Sequence, residues 1–114
     1  MRTTMRTDLT AALKARDKIA ATALRSALAA IENAEAVPTD APAMTGGSEV
    51  FAGAHIGLGA AEAERRVLTE ADVRAIVEGE IRDRTDAADE YQQLGRTDAA
   101  ERLRGEAEVL GRYL

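Results

Sequence analysis

The stretch TEADVRAIVEGEIRDRTDAADEYQQLGRTDAAERLRGEAEVLGRYL, residues 69–114, decides the fold. Thr69-Glu70-Ala71-Asp72 predicts a helix start: the threonine hydroxyl accepts a backbone N–H, and the carboxylate three residues on reaches back to the cap. Val73, Ile76, Val77, Ile81, Ala88, Tyr91 and Leu94 follow at helical steps, until Gly95 offers the residue that best tolerates the left-handed turn past a helix end. Thr97 is the expected cap of a second helix, whose Ala100, Leu103, Ala107, Leu110 and Leu114 fall on one stripe. Two stripes joined only by Gly95-Arg96-Thr97-Asp98 predict an antiparallel pair of helices that face each other.

Upstream, the pattern turns helical from Thr7 or Asp8, with Leu9, Leu13, Ala20, Leu24, Ala27 and Ile31 on one stripe. Arg16 interrupts it, and Asp17 is a competent cap for a helix that begins at Lys18. A bend at Ala15 to Asp17 is therefore expected, the alternative being one continuous helix as far as Glu35. Val37-Pro38 ends the segment, because the residue before a proline is pushed out of helical conformation. Pro42, Gly46-Gly47-Ser48, Gly53, Gly57 and Gly59 mark a long connection, read over 38–59 as an elaboration outside the core. Ala60 to Val67 is read as one or two helical turns, weakly supported by Glu62 and Arg66 four residues apart. The expected architecture is all-α and a single domain: N-terminal helices over 8–35, a linker over 36–67 and a helical hairpin over 68–114.

Composition narrows the chemistry. The chain holds 114 residues, no cysteine and no tryptophan, so disulfides, thiolate metal sites and cysteine nucleophiles are excluded. No long apolar run opens it, and the plain expectation is a cytoplasmic protein without membrane contact. Met5 repeats the Met-Arg-Thr start, so little weight falls on the first four residues. A core of Ala, Leu, Ile and Val favours helices that approach closely. The formal charge of −5 opposes nucleic-acid binding by the chain as a whole. The distribution is uneven: Arg2, Arg6, Lys14, Arg16, Lys18 and Arg25 stand against Asp8, Asp17, Glu32 and Glu35 in residues 1–35, whereas carboxylates outnumber arginines beyond residue 68.

Gly95-Arg96-x-Asp98 with Glu101, Glu106, Leu110 and Tyr113-Leu114 resembles the signature of the YqeY-like (GatB/YqeY domain) family. Lys14-Ala15-Arg16-Asp17, Leu24-Arg25, Leu28 and Asn33-Ala34-Glu35 resemble its N-terminal pattern, and Leu68-Thr69 through Arg84 its third helix. The resemblance implies a bacterial, cytosolic, helical protein that shares a domain with the tail of the B subunit of tRNA-dependent amidotransferases. Typical members continue past the Tyr-Leu pair with a Pro-x-Gln-Leu segment and a small helical domain thought to meet tRNA. This sequence stops at Leu114, which weakens the tRNA link that the resemblance implies.

The candidate residues fall into two sets. Lys14, Arg16, Lys18, Arg25 and Arg96 are candidates for contact with a protein partner or RNA. Asp17, Glu80, Arg84, Asp98 and Glu106 read as a structural polar network. Capping explains Asp17, and Arg16 either pairs with a carboxylate across the bundle or belongs to a polar patch. Arg25 is expected half-buried against Glu80 and Glu106. Glu80 and Arg84 form a favourable pair one turn apart, and Asp98 suits a helix start. Gly57-Leu58-Gly59 lacks the strand, lysine and third glycine of a phosphate loop. His55, the sole histidine, has no placed partner for metal or acid–base work. No catalytic constellation, cofactor site or metal-ligand spacing emerges, which makes an enzyme the least supported class. The expectation is a noncatalytic interaction module, with the tie to tRNA-dependent amidotransferase that the resemblance implies, and with RNA binding through the N-terminal basic face as the alternative.

Overall fold

The computed structural model describes residues 1–36 and 66–114. Among them it contains four helices and no strand: α1 (Arg2–Ala15), α2 (Lys18–Ala36), α3 (Glu70–Gln93) and α4 (Thr97–Gly111). The Gly/Pro-rich connection over 38–59, the Val37-Pro38 stop, the Gly57-Leu58-Gly59 turn, His55 and the turns expected from Ala60 lie outside the described residues. Arg66 and Val67, at the end of that expected helical stretch, are not helical.

Residues 1–31 and 69–114 form one compact unit, and residues 32–68 a second. In the second, the Arg66 backbone N–H donates to the Glu35 carbonyl at 2.8 Å. The first carries the packing. Its core takes Met5 and Ala12 from α1, seven residues of α2 including Leu24, Ala27 and Ile31, then Val73, Val77 and Ala88 from α3 and Ala100, Val109 and Leu110 from α4. Burial of Leu24, Ile31 or Leu110 contributes roughly 1.5–3 kcal/mol each. Alanines let the helices come close, and Gly105 shows how close. A Cβ built there would stand 3.4 Å from Cγ2 of Ile19.

The hairpin forms as its caps dictate. Asp72 N–H donates to Thr69 Oγ1 and Thr69 N–H to Asp72 Oδ2, both at 3.0 Å, which is the reciprocal capping box. Gly95 sits at φ 77°, and the Arg96 and Gly95 N–H groups return to the carbonyls of Tyr91 and Gln92. This paired left-handed closure is the Schellman turn. The second cap differs from expectation: Thr97 is the first residue of α4, and Arg96 precedes it without a side-chain cap bond.

At the N-terminal corner, the expected bend is present. Asp17 Oδ1 accepts the Ala20 N–H at 3.1 Å and so starts α2. Arg16 occupies the left-handed region at φ 59°, with Asp17 N–H on Ala12 O and Arg16 N–H on Leu13 O. The same Schellman turn thus ends α1 on a residue with a side chain. Three expectations are corrected here. α1 begins at Arg2 rather than Thr7, and Met5 is fully buried, so the opening residues do carry structure. Leu13 stays 47% exposed because the bend ends the stripe before that residue reaches the core. Leu94, as the residue after α3, is 72% exposed at the turn rather than on the buried face.

Candidate functional site

Three features of the first unit carry chemistry-bearing side chains. The innermost is centred on Arg84. One turn of helix separates it from Glu80, and α4 lies alongside, so the guanidinium reaches both. Arg84 Nη1 donates to Glu80 Oε1 at 2.9 Å and to the Glu80 carbonyl at 3.2 Å, while Nε donates to Glu106 Oε1 at 2.9 Å. Ser26 Oγ of α2 donates to the same Glu80 oxygen at 2.8 Å. The side chains of Arg84 and Glu106 retain only 12% and 7% of their exposure, a place where an unpaired charge would be costly. The cluster pins α2, α3 and α4 at one point. Its carboxylates, its guanidinium and the Ser26 hydroxyl bond to one another, which is the arrangement of a clamp.

The expectation that Glu80 and Glu106 hold Arg25 is corrected. Arg25 is exposed, and Arg84 takes both carboxylates. On α2 the residue turned toward Glu80 is the next one, Ser26. Periodicity placed Arg25 on the flank of the stripe but could not tell which flanking residue faces the hairpin. Of the remaining residues read as a network, Asp17 caps α2 and Asp98 is exposed in the first turn of α4.

The second feature is a surface. Lys14, Arg16, Lys18 and Arg25 are all exposed, and none is in an ion pair among the described residues. Arg16 therefore does not reach a carboxylate across the bundle. Several arginines of the hairpin are engaged instead: Arg84 as described, Arg104 with Asp89 at 3.0 Å and Gln92 at 3.0 Å, and Arg74 with the Leu114 carbonyl at 3.0 Å. Arg96 lies over the Tyr91 ring at 5.8 Å from its centroid, a cation–π contact that steadies it at the hairpin tip. A shallow hollow of about 370 Å³ runs from Gly95 to Ala99 and Arg102 beside it.

The third is a cleft of about 530 Å³ floored by Ala11, Ala12, Ala15, Ala20, Leu24 and Val109. At its rim Tyr113 donates its hydroxyl to Asp8 Oδ2. Burial, and then the neighbouring carboxylate, pushes the Tyr113 phenol well above its usual range. This tie joins Tyr113 to α1, and periodicity did not single out Asp8 as its partner.

Among the described residues no group of three or more His, Asp or Glu side chains is placed to hold a metal, and no helix is long and apolar enough to cross a membrane. Neither the curated proteins nor the solved structures searched contain a match. The family model described as Yqey-like protein matches residues 55–114. That match covers more than half of the sequence and includes the whole hairpin with Arg84, Gly95, Glu106 and Tyr113, and on it the chain belongs to the YqeY-like family.

Proposed function

We propose that this protein is a noncatalytic accessory or interaction module of the GatB/YqeY type, acting in the cytoplasm and tied to tRNA-dependent amidotransferase through a protein contact. One observation carries the reading. The tightly held charges are used to clamp helices together, whereas Lys14, Arg16, Lys18 and Arg25 are left in water without partners among the described residues. Exposed cations of this kind contribute little to stability. Their chemistry fits an acidic face on a partner, where complementary charge sets encounter rate and orientation.

The same four cations favour a second reading, RNA binding by α1 and α2, in which they neutralise phosphates. The two readings separate by which partner binds. The experiment measures binding of the purified chain to a tRNA-dependent amidotransferase and to total bacterial tRNA over a salt series, beside Lys14→Ala, Arg16→Ala, Lys18→Ala and Arg25→Ala. Binding to the amidotransferase that weakens when these cations are removed, with no binding to tRNA, supports the first reading. RNA affinity that falls steeply with salt, with a log–log slope reduced by about 0.7–0.9 for each phosphate-contacting cation removed, supports the second. No binding to either at low salt overturns both.

A further inference from the structure

The α1–α2 corner holds a strained turn beside a lightly attached helix. Arg16 is the sole non-glycine residue at positive φ among the described residues, and for a side chain with a Cβ that conformation is unfavourable. The Asp17 cap favours the bend, but no glycine or proline forces it: none occurs between Arg2 and Ala36, and the apolar steps of Leu9 and Leu13 resume at Ala20, Leu24, Ala27 and Ile31 beyond the interruption at Arg16. What holds the corner is the Asp17 cap on Ala20 and the docking of α1. That docking rests on few contacts: α1 buries Met5 and Ala12, is tied through Asp8 to Tyr113, and shares an open cleft with Ala20, Leu24 and Val109.

We propose that two copies of this chain exchange α1. In the exchanged dimer α1 and α2 straighten into one helix from Arg2 to Ala36, and each α1 docks in the groove that the other copy's α1 has left. The partner is a second copy because the vacated groove is shaped by the same residues. Met5 re-enters its site, and Asp8 of one chain meets Tyr113 of the other, so the docking contacts of the closed form are recovered. Two changes favour exchange. Arg16 leaves its left-handed conformation in both copies, and residues 15–17 gain helical hydrogen bonds. Against it stand the loss of the Asp17 cap and the entropy of association. A short hinge under strain is the setting in which such exchange arises.

The test is sedimentation of the whole chain over a concentration series, with Arg16→Gly and Asp17→Ala. Glycine relaxes the closed turn and is a poor residue inside the straight helix, so Arg16→Gly weakens dimerisation roughly tenfold to a hundredfold. Asp17→Ala removes a cap that only the closed form uses, and strengthens dimerisation by roughly tenfold. Topology is read separately. The chain has no cysteine, so a doubly substituted Ala11→Cys/Arg112→Cys protein, with both positions on the cleft, is treated with a short bifunctional maleimide. In the exchanged dimer the bridge joins two chains, and the product runs as a covalent dimer after denaturation. The proposal is overturned by a monomer at every concentration even with Asp17→Ala, by a dimer indifferent to Arg16→Gly, or by dimer-peak protein whose bridge stays within one chain.

Discussion

α1 and α3 end on the same turn, two backbone N–H groups folding back onto carbonyls of the last helical turn, yet α3 closes on Gly95 and α1 on Arg16. At Gly95 residue and conformation agree, and the helices on either side bury residues against each other and share the Arg84 clamp. At Arg16 they disagree, and the helix before it buries two residues. Identical hydrogen bonds therefore do not make equivalent junctions. The turn's worth depends on whether its left-handed residue is at ease and on how firmly the helix beyond is packed.

The largest expected break in the hairpin half is Arg84→Met. It strands Glu106 without its cation, and should lower unfolding free energy by about 3 kcal/mol in urea titration, since removing one partner of a buried pair leaves the other uncompensated. Arg84→Met combined with Glu106→Leu should recover most of that loss. A single variant as stable as the parent would mean that the clamp does not hold the hairpin. Next, Leu110→Ala should cost about 2–5 kcal/mol, because the side chain is fully buried. Leu13→Ala in α1 should stay within about 0.5 kcal/mol. Comparable losses at the two sites would erase the distinction between the halves. The smallest effects address the turns themselves: Gly95→Ala should destabilise by about 1 kcal/mol, and Arg16→Gly should stabilise the monomer by about 0.5–1 kcal/mol. Thermal midpoints that move the same way in both variants would show that the two junctions are not opposites.

The hairpin was legible in the sequence because every signal there is local. Thr69 and Asp72 announce a start, Gly95 announces a stop, and the steps between them are those of a helix. The bend at Arg16 was legible through Asp17, although no glycine marks it. The start of α1 was not, for its first residue is preceded by Met1 without a side-chain cap bond and its first turn has no acidic residue. The Arg84 cluster was half legible: one turn of helix relates Glu80 to Arg84, but the third and fourth members come from other helices, and only packing chooses Ser26 over its neighbour Arg25. The Asp8–Tyr113 tie lies beyond periodicity, which carries no information about which helix ends meet.

That tie also gives the chain an optical signature. With no tryptophan and two tyrosines, intrinsic ultraviolet emission comes from Tyr91 and Tyr113. A phenol that donates to a carboxylate loses much of its fluorescence, so Tyr113 is dim while α1 is seated on Asp8 and brightens when it leaves. Tyr91, under the Arg96 guanidinium at the other end of α4, reports on the hairpin tip. Departure of the first helix can thus be followed in stopped flow without any label, and Tyr91→Phe leaves a protein whose emission speaks for that one event.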